Sequence, residues 1–262
     1  MNFCTASYKG HFRLNGFYEK GSDVITLTKR NWKREVVESN FLHVVEFYRE
    51  GCGYCQLLTP EWEKVAKNLK MLVRIGAVDT EKERQLSSAS EHGDPSNPIN
   101  GVPTIKLFKP VNGGGKGSNK NKKEIIVYNG ERKAKAMIAF FSEHMPSHVH
   151  RVSEKSFADF VKTDVPLAVL FTTKSSTPTL IKAISVEFLG RVKLAEVSKA
   201  ARSVAAQFNI TEYPTLVAIP PHGIDAEVKY FSGKNTFNAI NMFLWRHETD
   251  MKKALKRRKS EL

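Results

Sequence analysis

The chain has 262 residues, of which 41% are hydrophobic and 16 are phenylalanine. This length is too great for one average domain and sufficient for two, each with an ordinary core. The formal net charge of +14 favours acidic partners, but much of it lies in a Lys-rich loop and a Lys/Arg-rich tail, so we predict no specific nucleic-acid partner. Three cysteines are too few for a disulfide-stapled scaffold.

Short apolar runs alternate with helical patterns along the first half of the chain. The run 41–48 is nearly continuous, which is typical of a strand covered on both faces. The segment 111–123 is Gly-rich and basic, which predicts a flexible hairpin loop. Phosphate binding is the alternative, but no helix N-terminus or Walker pattern follows the segment. In chain order, the pattern predicts strands over 24–27, 41–48, 72–78, 104–108 and 124–128, and helices over 31–39, 52–69, 81–91 and 133–144.

The second half repeats this order of strands and helices. The repetition predicts an α/β chain of two similar domains, with the best boundary near Pro146–His148. The predicted helices cover 154–162, 178–188, 199–208 and 236–246, and the predicted strands cover 167–171, 192–197, 215–219 and 228–231.

The segment Cys52-Gly53-Tyr54-Cys55 carries the chemistry of the chain. Two cysteines three residues apart lie on one face of a helix, so their sulfurs can close a small disulfide ring. At a helix start, unsatisfied N–H groups and the helix dipole favour a thiolate. We therefore predict Cys52 as the nucleophile and the more buried Cys55 as the resolving thiol. A zinc site is the alternative for such a pair, but no further ligands stand at suitable spacing, so we predict no metal and no cofactor.

Segments on both sides of the cysteine pair resemble the active-site region of protein disulfide isomerases. The similar segments are 23–28, 45–48, 51–55, 58–62, 76–80 and 101–108, and they occur in consistent order over about residues 22–145. The resemblance implies two tandem thioredoxin-like domains, each a central mixed β-sheet flanked by helices. The expected limits are an extension 1–21, a redox-active domain 22–147, a redox-inactive domain 148–248 and a basic tail 249–262.

The resemblance also implies three further site residues. Pro103 would be a cis-proline facing the cysteine pair, and the backbone of Val102 would pair with bound substrate. Glu46, an acid within an apolar strand, would be the buried proton acceptor for Cys55, since burial raises the pKa of a carboxyl group.

Three positions depart from the pattern of that family. Gly51 stands where Trp is usual, which weakens a substrate-facing surface. Tyr54 stands where the family usually has His, whose positive charge would stabilise the thiolate, so we expect a less oxidising couple. Asn100 stands where many members have Arg, so we do not expect an arginine to tune Cys55.

In the second half, residues 171–178 occupy the place equivalent to the cysteine pair, and none of them is cysteine. The segment 212–216 nevertheless resembles the cis-proline segment, with Pro214 in that role. This domain is therefore expected to be redox-inactive. Two interpretations stay open: a scaffold that stabilises or spaces the first domain, and an apolar docking surface for unfolded chains or a partner.

The ends of the chain bear on its location. No run approaches the roughly 18 apolar residues that span a bilayer, and residues 1–20 lack the apolar region of a secretory signal. The last four residues, Lys-Ser-Glu-Leu, differ at one position from the Lys-Asp-Glu-Leu retrieval signal. We therefore expect the endoplasmic reticulum lumen and an incomplete start. The basic run before this end also fits a nuclear-localisation or nucleic-acid patch, and Cys4 is expected to be an incidental thiol.

Functions from different classes stay open. The first is an enzyme that oxidises, reduces or isomerises disulfides of unfolded or disulfide-containing secretory proteins, with glutathione or an oxidase as redox partner. The second is a chaperone or escort that binds unfolded clients with little isomerase turnover. A third is a cytosolic partner of a thioredoxin-type reductase.

Overall fold

The computed structural model describes residues 17–18, 21–88, 92–111, 122–221 and 227–260. Two compact units are present: the first ends at Phe141, and the second begins at Ser142 and includes the short segments Asn40–Leu42 and Met71–Val73. The expected boundary after residue 147 stays a prediction. Cys4, most of the basic loop and the final Glu261-Leu262 lie outside the described residues.

The first unit contains a five-stranded sheet in the order β1-β3-β2-β4-β5. Strands β1, β3 and β2 pair in parallel, whereas β4 pairs antiparallel with β2 and β5 pairs antiparallel with β4. The elements are β1 (Ile25–Thr26), α1 (Lys29–Trp32, followed by a π-helical turn Lys33–Val37), β2 (His43–Tyr48), α2 (Gly53–Asn68), β3 (Arg74–Asp79), α3 (Arg84–Ser87), β4 (Thr104–Pro110), β5 (Lys123–Val127) and α4 (Ala134–Glu143).

The second unit has a sheet of the same topology, β6-β8-β7-β9-β10. The expected fold class is therefore confirmed: both units are thioredoxin-like and each has a mixed sheet flanked by helices. The elements are β6 (Val149–Val152), α5 (Glu154–Phe160), β7 (Leu167–Thr172), α6 (Thr179–Glu187), β8 (Lys193–Ser198), α7 (Arg202–Gln207), β9 (Thr215–Ile219), β10 (Lys229–Tyr230) and α8 (Phe237–Ser260).

The central strands and α2 follow directly from their residue patterns. Every residue of β2 and of β7 is buried, as expected for strands covered on both faces. In α2, the buried side chains recur at helical spacing, so one face packs on the core and the other stays in solvent. They are Cys55, Leu58, Trp62, Val65 and Ala66. This packing fixes the start of α2, and with it the cysteine pair, against the end of β2.

Two predicted helices need correction, and one strand was missed. Over the described residues 81–88, the helix predicted for 81–91 begins only with α3, because Asp79 Oδ1 accepts the backbone N–H groups of Glu81 and Lys82 at 3.0 and 3.3 Å and holds a turn there. The helix predicted to end at Arg246 continues as α8, supported by a Lys252–Glu248 pair at 2.5 Å. Strand β6 was not predicted, because its middle residues are exposed and polar.

None of the helices in the described part of the chain is both long and apolar enough to span a bilayer.

Candidate active site

Cys52 lies at the N-terminal cap of α2. Its sulfur accepts the backbone N–H of Cys55 at 3.3 Å and lies 3.5 Å from the carbonyl oxygen of Val102. A cap position places the sulfur at the positive end of the helix, among N–H groups that have no partner within the helix. The site therefore favours negative charge on Cys52.

The two thiols, both free, have opposite environments. Burial acts to raise the pKa of Cys52, but hydrogen bonds from the Cys55 side chain and from backbone N–H groups of Cys55 and Tyr54 outweigh it, so the pKa lies below its usual value. Burial, helped by the bond to Cys52, raises the pKa of Cys55 to about 12. Cys52 is 9% exposed and Cys55 fully buried, so the expected asymmetry of the pair is present.

Glu46 lies in the middle of β2 and is completely buried. Burial raises the pKa of its carboxyl group to about 8, against the opposing effects of a Tyr18 hydrogen bond and the Arg132 charge. Its negative form contributes to the raised pKa of Cys55. The structure thus brings together the acid and the resolving thiol that the resemblance links.

The peptide bond between Val102 and Pro103 is cis, as expected, and precedes β4. The Val102 carbonyl faces the Cys52 sulfur, and the Arg132 guanidinium donates to the carbonyl oxygen of Pro103 at 3.0 Å. An arginine therefore does reach this region, although not from the neighbourhood of Asn100. Sequence reasoning missed Arg132 because it follows β5, far from every cysteine motif.

Tyr18 is the second residue that sequence reasoning missed. Its hydroxyl donates a hydrogen bond to Glu46 Oε2, and its ring meets that of Tyr48 edge-on at 5.8 Å. The adjacent aromatic residues Phe17 and Tyr18, close before the first predicted strand, were the available signal. Arg49 is a third: its charge helps to lower the pKa of Cys52.

The surface around Cys52 is open and partly apolar. Tyr54 and Leu57 are 72% and 69% exposed, and a side chain at Gly51 would meet no atom within 4 Å. Gly53 begins α2 and is exposed. Large apolar side chains left in solvent beside a reactive sulfur suit contact with another protein.

The corresponding region of the second unit has a cis bond between Tyr213 and Pro214. A cleft beside Pro214 is lined by Thr172, Lys174 and Pro178, where the first unit has its cysteines. Among the described residues of both units, no three His, Cys, Asp or Glu side chains group as a metal site requires.

Comparisons with known proteins agree with this fold. Residues 23–143 match the thioredoxin family model. A protein disulfide-isomerase of Dictyostelium discoideum is 37% identical over 231 residues, which are 87% of this chain and 53% of that protein. A protein disulfide-isomerase A6 homolog of Drosophila melanogaster is 31% identical over 238 residues, with 79% and 51% covered. A crystal structure of ERdj5 form II has a TM-score of 0.64 at 25% identity, with 87% of this chain and 30% of that chain covered.

The fold and the paired thiols define a protein of the thioredoxin superfamily. Within it, the chain belongs to the protein disulfide isomerase family. It spans about half the length of these two curated relatives.

Proposed function

We propose that the chain is a thiol–disulfide oxidoreductase and isomerase that acts on disulfides of folding secretory proteins. The observation that carries this proposal is the place of Cys52: a low-pKa sulfur at the cap of α2, beside the Val102 carbonyl and 3.3 Å from the N–H of Cys55. Thiolate, not thiol, attacks disulfides, and the attacked bond is replaced by a mixed disulfide.

In the first step, the Cys52 thiolate attacks a client disulfide, so one client sulfur bonds to Cys52 and the other leaves as a thiolate. In the second step, Cys55 loses its proton to Glu46 and attacks the Cys52 sulfur. The Cys52–Cys55 bond forms, the client sulfur leaves and takes up a proton, and the client has gained two electrons. Running the same steps backwards oxidises a client, and attack by a client thiol on the mixed disulfide isomerises it.

Client contact is proposed to use backbone and apolar groups. The Val102 backbone would pair with an extended client segment, while Tyr54 and Leu57 offer exposed apolar area near the sulfur. The second domain, which has no cysteine, would be redox-inactive and serve as a scaffold or a docking surface.

The proposed home is the endoplasmic reticulum lumen, with glutathione or an oxidase as redox partner. The paired free thiols support this location, because an oxidising compartment sustains a disulfide couple that the cytosol keeps reduced.

The reduction potential of the Cys52–Cys55 couple tests this proposal. The protein is equilibrated in buffers with different ratios of reduced to oxidised glutathione, and free thiols are then alkylated. The fraction of protein with a Cys52–Cys55 disulfide should follow a single two-electron transition as this ratio changes. Tyr54→His should shift that potential upward by about 30 mV, since a tenfold change in the two-electron equilibrium corresponds to about 30 mV. A positive charge beside Cys52 would stabilise the reduced thiolate form, and Tyr54 supplies none.

Tyr230→Phe is the matched control, because it changes a tyrosine of the second unit and should leave the potential unchanged. No transition at any glutathione ratio would sink the oxidoreductase proposal. Client binding by a Cys52→Ser, Cys55→Ser double variant, together with unimpaired function, would instead favour the chaperone.

A further inference from the structure

Tyr18 is a buried tyrosine joined to the acid of the active site. It is 7% exposed, and its hydroxyl donates a hydrogen bond to Glu46 Oε2. Burial and the adjacent Glu46 raise the pKa of Tyr18, so the phenol keeps its proton and stays a donor. This residue precedes the first strand and lies outside the domain limits expected from sequence.

Glu46 has little else to hold its carboxyl group. In the sheet it lies beside Ala77 of β3, whose methyl group offers no polar contact. Within the described residues, its second oxygen, Oε1, is buried and has no hydrogen-bond partner. When only one oxygen of a carboxyl group accepts a hydrogen bond, that hydrogen bond sets the orientation of the group.

Tyr18 also contacts the helix that carries the cysteines. The Thr59 hydroxyl donates to the Cys55 carbonyl oxygen at 2.9 Å and interacts with the Tyr18 hydroxyl. Tyr18 therefore bridges β2, which carries the acid, and α2, which carries the thiol.

We propose that Tyr18 is a positioning residue for the resolving step: it holds Glu46 by Oε2 and leaves Oε1 as the oxygen that receives the Cys55 proton. This inference rests on the proposed thiol–disulfide exchange and deepens it.

The chemistry of the hydrogen bond gives the expected direction. A neutral phenol that donates to a carboxylate stabilises the ionised form, so this bond opposes the effect of burial on the pKa of Glu46. Only ionised Glu46 can take the proton of Cys55. Two other charged or titratable groups besides Cys55 interact electrostatically with Glu46: Arg132, before α4, and Tyr48, on the same strand. Removal of the Tyr18 hydroxyl leaves both of these side chains in place.

Tyr18→Phe removes the hydroxyl and keeps the ring that packs against Tyr48. Reduced protein is mixed with oxidised glutathione, and acid-quenched samples are analysed by mass for the Cys52–glutathione adduct and the Cys52–Cys55 disulfide. The second step should slow about tenfold at pH 7, and its pH profile should move about one unit toward alkaline pH, since each pKa unit changes the ionised fraction tenfold. Alkylation of Cys52 should keep its rate.

One variant background and one control variant distinguish a positioning role of Tyr18 from simple packing. In Glu46→Gln, adding Tyr18→Phe should slow the second step no further, because no carboxylate remains to be held. Tyr230→Phe, which loses a hydroxyl–carbonyl bond of 3.0 Å in the second unit, should keep the wild-type profile. An unshifted profile in Tyr18→Phe, or an equal slowing in the Glu46→Gln background, would overturn the inference while leaving the proposed function intact. If the wild type formed neither the Cys52–glutathione adduct nor the Cys52–Cys55 disulfide, the proposed function would be overturned and this inference with it.

Discussion

Replacing Cys52 with serine should reduce both insulin reduction and the reactivation of scrambled ribonuclease to the uncatalysed level. The serine hydroxyl stays protonated at the cap of α2, whereas the low-pKa sulfur supplies the thiolate that attacks. Cys55 cannot substitute for it, because burial raises its pKa to about 12 and excludes it from solvent.

Cys55→Ser is the informative partner of this variant. It keeps the nucleophile and removes the resolving thiol, so clients should accumulate as mixed disulfides on Cys52 that a reductant releases. Cys4→Ser, which removes the only other cysteine, is the matched control and should leave turnover unchanged. Wild-type turnover in Cys52→Ser would contradict the assignment of the nucleophile.

Asp94→Ala should lower the free energy of unfolding of the first unit by about 3–5 kcal/mol, the cost of leaving a buried charge without its partner. Lys106 is fully buried in β4, and its ammonium donates to Asp94 Oδ2 at 2.7 Å, with His92 Nε2 at 2.9 Å and the Asn97 carbonyl completing the shell. Without Asp94, a positive charge stays inside the core with only neutral partners. The same contacts tie the segment before cis-Pro103 to the sheet.

Urea denaturation in a Trp245→Phe background measures this loss, because the two remaining tryptophans, Trp32 and Trp62, are buried in the first unit. Glu38→Ala, in the same unit, is the matched control. Its pair with Lys33, at 3.7 Å, has side chains 46% and 79% exposed, and such pairs contribute about 1 kcal/mol or less. Equal losses for the two variants would contradict a buried-charge origin.

The fold was predictable because its central elements have strong patterns. A continuous apolar run such as 41–48 admits few structures, and the repeat of that order in the second half gave the second sheet. The errors fall where the pattern is weak. Strand β6 has apolar residues only at its ends, α3 is shortened by hydrogen bonds of the Asp79 side chain, and the end of α8 carries no Gly or Pro stop signal.

The site divides in the same way. Cys52, Cys55, Glu46 and Pro103 stand in contiguous motifs, and the structure brings them together around the central strand β2 and the start of α2; their chemical roles stay predictions. Tyr18 and Arg132 escaped because each is distant in sequence from the cysteines and acts through one hydrogen bond formed only on folding. Lys106 gave a sequence signal, a charge inside an apolar strand, but its partners come from a separate loop.

The most direct test of the asymmetric pair is the rate of alkylation of each thiol as a function of pH, read from peptide masses of the reduced protein. Cys52 should react with a midpoint below the value of about 8.5 for a free cysteine, since hydrogen bonds at the cap of α2 lower its pKa. Cys55 should stay unmodified through that range, because burial raises its pKa to about 12. Equal reactivity of the two thiols, with a common midpoint near that of free cysteine, would contradict the account.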